Sequence, residues 1–210
     1  MRGLWDGEAE ALMICDEIEA WAAKGGKNSY EDCAILVRAS WQMRRGEERL
    51  IILGIPYRVI GGPRFFERAE IRDAMAYLRL IRSTDDDLAF ERVVNQPKRG
   101  VGNTTVQKLQ RYARDDGRSL FTLTPMVLQT DEIKGPGKRG LTNFIDQINL
   151  WRDRHNSGMS HTELAQVILD ESGYTDMLQK DRSPQAQTRL ANLKELINAM
   201  GEFANLTGYL

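Results

Sequence analysis

Glu70-Ile-Arg-Asp-Ala-Met-Ala-Tyr-Leu-Arg-Leu-Ile81 sets the architecture. Ile71, Met75, Leu78 and Ile81 recur at the helical period and share one face, while Arg68, Arg72 and Arg79 fall elsewhere, which is the pattern of an amphipathic helix. Everything downstream reads the same way. A turn at Asp85-Asp86-Asp87 opens a short helix, and another starts near Thr104 and runs to about Arg114. Later helices begin after Gly137, at Ser160 with Glu163 three positions on, and at Ser183-Pro184, where Ser caps and Pro suits the first turn. The last carries a core stripe of Leu190, Leu193, Ile197, Met200 and Phe203, and Lys134-Gly-Pro-Gly-Lys138 reads as a loop.

Upstream the pattern changes. An acidic helix over residues 7–23 and a polar turn Gly25-Gly26-Lys27-Asn28 precede the apolar run Ala34-Ile-Leu-Val37, which has strand length and composition. A helix through residues 41–53 ends at Gly54, and a β-rich segment Tyr57-Arg-Val-Ile60 closes at Gly61-Gly62-Pro63. Strand, helix, strand in that order suggests part of a parallel sheet. The expected class is therefore predominantly α: a small α/β part over residues 1–66, then an all-helical part over 67–210.

With 41 % hydrophobic and 28 % charged residues the chain has ordinary globular composition, long enough for one or two cores. No apolar run approaches a membrane span and the N-terminus lacks a secretory layout, so a cytoplasmic protein is expected, with no membrane partner. Cys15 and Cys33 make neither a disulfide framework nor a zinc site, and His155 and His161, six apart, would not share a helix face; no metal is expected. The net charge of −1 conceals a gradient. Residues 1–33 carry three Lys/Arg against eight Asp/Glu, 34–82 carry ten against five, and 92–118 carry seven against two. Local basic segments of this kind can meet phosphate in a neutral chain.

The sharpest chemical signal is Asn95-Gln-Pro-Lys-Arg-Gly-Val-Gly-Asn-Thr-Thr105. Gly100 and Gly102 permit positive φ and close backbone approach, Lys98 and Arg99 supply charge, and the following helix offers unpaired amides at its N-terminus. A plain tight turn between helices is the competing reading. Arg38, Gln42 and Arg44 put cationic and polar tips beyond the first apolar run, where α/β folds hold ligands. Arg64, Phe65, Phe66 and Arg68 interleave cations with aromatics, as single-strand binders do, although hinge packing is the simpler reading of the two phenylalanines. Gly25-Gly26-Lys27-Asn28-Ser29 fails the nucleotide-loop pattern, because Trp21 stands where Gly is needed and Asn28 replaces Ser/Thr. No catalytic set is recognisable.

Ala34–Arg44, Gly54–Arg68, Glu70–Ile81 and Pro97–Gly102, in that order and spacing, resemble the UvrD/PcrA/Rep superfamily-one DNA helicases, and the resemblance extends from about Trp5 to the Arg189–Leu196 helix. The resemblance implies a slice of an ATP-dependent helicase that unwinds duplex DNA 3′ to 5′ in repair or replication. Residues 1–66 would belong to the second RecA-like core domain and 67–210 to its inserted helical subdomain, 2B. It also implies that Arg38, Gln42 and Arg44 lie near the single-strand track, and that Gly100, Val101, Gly102 and Thr105 grip duplex phosphates. ATP and Mg²⁺ would serve the longer parent, with neither bound by this slice. Val37, Ala39, Ser40-Trp41 and Ala69 depart from the family's usual residues. The alternative is a protein-interaction or autoinhibitory module with little DNA affinity, docking repair proteins. A base-excising glycosylase would need a catalytic Asp or Lys beyond the hairpin.

Overall fold

The computed structural model of the chain describes residues 6–25, 29–59 and 64–210. Gly26–Asn28 of the polar turn, and Ile60 with Gly61-Gly62-Pro63, lie outside them. The chain divides into two compact units, Met1–Arg68 and Ala69–Leu210.

In the first unit, Asp6 caps helix α1 (Gly7–Ala23) by accepting the Ala9 amide at 2.7 Å. Helix α2 (Met43–Ile52) follows a single 3₁₀ turn at Ser40–Gln42 and stops before Gly54, whose φ of 67° only glycine adopts readily. The two helices close over Cys15, Leu50 and Ile55, with Tyr30, Leu53 and Tyr57 against them. Burial pushes the Cys15 thiol up.

The α/β expectation for this unit is corrected: among the described residues there is no strand. Ala34–Val37 has no regular secondary structure, its amides find no partner among those residues, and Leu36 is 93 % exposed. A ladder needs a neighbour as well as a β-prone run, and Tyr57–Val59 does not supply one. The helical expectation stands, since the chain is predominantly α.

The second unit consists of helices α3 (Ala69–Arg82), α4 (Asp87–Val93), α5 (Asn103–Asp116), α6 (Leu120–Leu128), α7 (Gly135–Asn156), α8 (His161–Glu171), α9 (Tyr174–Lys180), α10 (Ala186–Met200) and the short α11 (Leu206–Tyr209). Helix α3 is its axis. Besides Ile71, Leu78 and Ile81 it buries Ala74, Ala76, Tyr77 and Leu80, while Ala69, Arg72, Arg79 and Arg82 are exposed. Helices α4, α7, α8 and α10 pack around it. Tyr77 meets Trp151 edge-on at 6.1 Å, and Phe90 meets Phe144 at 5.5 Å. Polar pairs tie the same elements: Asn192 donates to Glu70 at 2.6 Å, and Asp73 accepts from Tyr174 (2.7 Å) and is ion-paired with the half-buried Arg92 (2.8 Å).

The start signals vary in accuracy. Asp86 and Ser160 cap α4 and α8 at the expected places. Ser183 instead turns back onto Asp181, and α10 begins at Ala186. Lys134–Lys138, expected as a loop, caps and opens α7, because Pro136 suits a first helical turn. Helix α6 has no counterpart in the sequence reading; Ser119 caps it through the Thr122 amide.

Glu171 joins α7 to α8. Its carboxylate accepts from Arg154 and from the buried Trp151 indole, both at 2.7 Å. The Arg154 hydrogen bond, helped by that of Trp151 and opposed by burial, holds its pKa below the ordinary 4.5. Glu171→Ala should cost about 1–3 kcal/mol by leaving the buried indole N–H unpaired, and Glu171→Gln less, because an acceptor remains. With its pKa lowered, Glu171 contributes fully above the ordinary value and loses that contribution as pH falls through the lowered one. Denaturation at neutral and acid pH should show the gap between parent and Glu171→Gln closing on acidification.

Candidate nucleic-acid interface

Between α4 and α5 the chain makes a braced turn. Asn95 Oδ1 accepts the Arg99 amide at 2.8 Å and the Val101 amide at 3.2 Å, closing the turn on itself. The Tyr77 hydroxyl, reaching from α3, donates to the Gln96 carbonyl at 2.6 Å. Val101 is buried and anchors the turn. Gly100 has φ +75°, and a Cβ there would sit 3.0 Å from Pro136 Cβ at the start of α7. Gly140 is tighter: its missing Cβ leaves room for the Arg99 carbonyl oxygen, which would otherwise be 2.1 Å away.

Outside this brace the turn is open. Lys98, Gly100, Gly102, Asn103 and Thr104 are exposed. Gly102 caps α5 without a capping side chain, and the Asn103 and Thr104 amides have no partner among the described residues. The positive end of the helix dipole therefore faces solvent beside Lys98. Gly102 has φ −81°, so it is not glycine for conformational reasons; its Cβ would meet only Thr104 Oγ1, at 3.9 Å. The lack of a side chain there keeps the amides uncovered. The Thr105 amide is already bound to the Gly102 carbonyl at 3.0 Å, and its hydroxyl faces Gly137.

Arg99 is not among the open groups. Its guanidinium donates to the Val93 and Pro97 carbonyls at 3.0 Å, to Tyr77 Oη at 2.6 Å and to the Ser172 carbonyl at 3.4 Å, and it stacks over Phe144 at 5.4 Å. The structure thus separates two neighbours of equal charge: Lys98 points out and Arg99 points in.

In the Met1–Arg68 unit the candidates scatter. Gln42 Oε1 accepts the Arg38 and Ala39 amides at 3.1 Å, so its carbonyl caps the preceding bend. Arg44 is fully buried and paired with Glu48 at 2.7 Å, an internal role that its charge alone does not reveal. Arg38 is exposed at a bend, with no strand before it. Arg64 lies over the Tyr57 ring at 5.0 Å, and Phe66 is half-exposed, edge-on to buried Phe65. Glu47 accepts from Tyr57 and from the Phe65 amide, and burial raises its pKa.

Asn95, Tyr77, Pro136 and Gly140 shape the turn, a role that sequence reasoning gives to none of them. Gly137 and Gly140, one helical turn apart, are the available signal: two glycines on one face of a helix mark close backbone approach. Among the described residues no His, Cys, Asp and Glu cluster could hold a metal ion, and no helix is long and apolar enough to cross a membrane.

Comparison with known proteins bears on the whole of this chain. The family described as "UvrD-like helicase C-terminal domain" matches residues 5–208. A "Probable DNA helicase II homolog" of Rickettsia conorii is 35 % identical over 206 residues, 98 % of this chain and 31 % of that protein. "DNA helicase II" of Escherichia coli is 38 % identical over 195 residues, 93 % of this chain and 27 % of its own length. "ATP-dependent DNA helicase PcrA" of Bacillus subtilis is 39 % identical over 180 residues, 85 % and 24 % respectively. The chain spans less than a third of the curated relatives it matches. With nearly every residue inside the match, the chain belongs to the UvrD-like helicase C-terminal domain family.

Proposed function

We propose that this chain is the duplex-holding portion of an ATP-dependent 3′-to-5′ DNA helicase acting in repair or replication. The observation that carries the reading is the uncapped N-terminus of α5, with free Asn103 and Thr104 amides beside exposed Lys98 on a turn braced from behind. Such an end accepts a phosphate oxygen through backbone N–H groups, aided by the helix dipole and a neighbouring cation. Contacts of this kind fix position and read no sequence, so preference among duplexes should be slight. In this reading Met1–Arg68 is part of a second core domain and Ala69–Leu210 the 2B-like subdomain, with exposed Arg38, Arg64 and Phe66 available to a single strand.

ATP and Mg²⁺ enter only through the longer protein. In this reading they are held by parts of the helicase other than this chain.

Fluorescence anisotropy of a labelled duplex with a 3′ single-stranded tail, titrated with the chain across salt concentrations, tests the reading. Log K should fall linearly with log salt, and Gly100→Ala/Gly102→Ala should weaken binding. Affinity that survives high salt, or no binding at low salt, would favour a protein-docking role instead.

A further inference from the structure

Arg99 has the charge and position of a phosphate ligand, and the fold spends it elsewhere. Four guanidinium hydrogen bonds run to Val93, Pro97, Tyr77 and Ser172, its amide runs to Asn95, and its carbonyl lies against Gly140. Tyr77 Oη stands between the Gln96 carbonyl, to which it donates, and the Arg99 guanidinium, from which it accepts. One buried hydroxyl on α3 therefore ties down both sides of Pro97. The Phe144 and Tyr77 rings, 5.4 Å and 6.0 Å from the guanidinium carbon, fix the plane of the fork.

We infer that Arg99 and Tyr77 are positioning residues: they hold the exposed amides of the Gly-Val-Gly turn in place for a phosphate, and Arg99 itself does not touch nucleic acid. The inference rests on the phosphate-holding role proposed above for that turn. Donors already fixed in their bound arrangement lose little freedom on association, so affinity depends on the brace as well as on the contacts. A lysine at 99 keeps the charge without reproducing a planar fork that reaches four acceptors at once.

Salt dependence separates bracing from contact, because each phosphate contact adds about 0.9 to the slope of log K against log salt on B-DNA. With the full chain and the tailed duplex, Arg99→Lys, Arg99→Gln and Tyr77→Phe should each weaken binding about tenfold while keeping the parent slope. Lys98→Ala should flatten the slope by about 0.9. A flattened slope in Arg99→Gln together with parent affinity in Arg99→Lys would make Arg99 a contact and overturn the assignment, as would parent affinity in Tyr77→Phe. Hydrogen exchange on the free chain gives a second readout. The Arg99 and Val101 amides should exchange faster in Tyr77→Phe and Arg99→Lys, with the Trp151 region unchanged, and unaltered exchange there overturns the inference. If the parent fails to bind DNA at low salt, the phosphate reading of the turn falls, while the exchange experiment still decides whether these two residues position it.

Discussion

Replacing Gly140 by alanine should destabilise the Ala69–Leu210 unit by about 3 kcal/mol or more. The new Cβ would lie 2.1 Å from the Arg99 carbonyl oxygen and 3.1 Å from its carbonyl carbon. Both are backbone atoms, so no rotamer change relieves the overlap. Either α7 moves off the turn, or the turn gives up its bonds to Asn95 and Tyr77. Gly46→Ala in α2 is the control, since nothing lies within 4 Å of its missing Cβ and alanine is the better helix former by about 1 kcal/mol. Urea or thermal denaturation of both variants gives the answer. A Gly140→Ala protein as stable as the parent would show that α7 and the turn do not pack this closely.

Asp73→Ala should cost about 1–3 kcal/mol, the penalty for leaving the buried Tyr174 hydroxyl without its acceptor. The substitution strips the acceptor from the buried Tyr174 hydroxyl and the counter-charge from Arg92, loosening α3, α4 and α9 together. Asp73→Asn should cost much less, because it keeps an acceptor, and because burial already disfavours the ionised form. Burial is the largest influence on this carboxyl and raises its pKa above 3.8, against the opposing effects of Tyr174 and Arg92. The folded protein therefore takes up a proton here at higher pH than the unfolded chain does. Relative to Asp73→Asn, the parent should gain stability as pH falls through the raised pKa toward the ordinary value. The sign is opposite to that for Glu171, so on acidification the parent should lose its advantage over Glu171→Gln and gain stability relative to Asp73→Asn.

Helices α3, α4 and α8 are legible because their information is local. The period of Ile71, Leu78 and Ile81, and the caps Asp86 and Ser160, are set by residues within a turn of one another. Ala34–Val37 misled for the opposite reason: a strand is a property of two segments, and composition describes one. The Gly-Val-Gly turn could be found from sequence, but the orientation of its neighbours could not. Arg99 differs from Lys98 through Tyr77 and Ser172, which lie 22 and 73 positions away, and nothing in the local run announces them. The burial of Arg44 is equally hidden from a charge count, although its partner Glu48 lies only four residues on along the same helix face.

The exposed, unladdered segment at Ala34–Val37 also affects how the chain behaves in bulk solution. It presents a row of main-chain donors and acceptors unsatisfied among the described residues, with Ile35, Leu36 and Val37 exposed and no charge or proline inside the run. Those are the traits of an adhesive edge, on which a second molecule can lay down a strand and gain hydrogen bonds and apolar burial together. Self-association of this chain on concentration would therefore start in a four-residue stretch of the smaller unit, and a lysine at position 36 would be the economical guard against it.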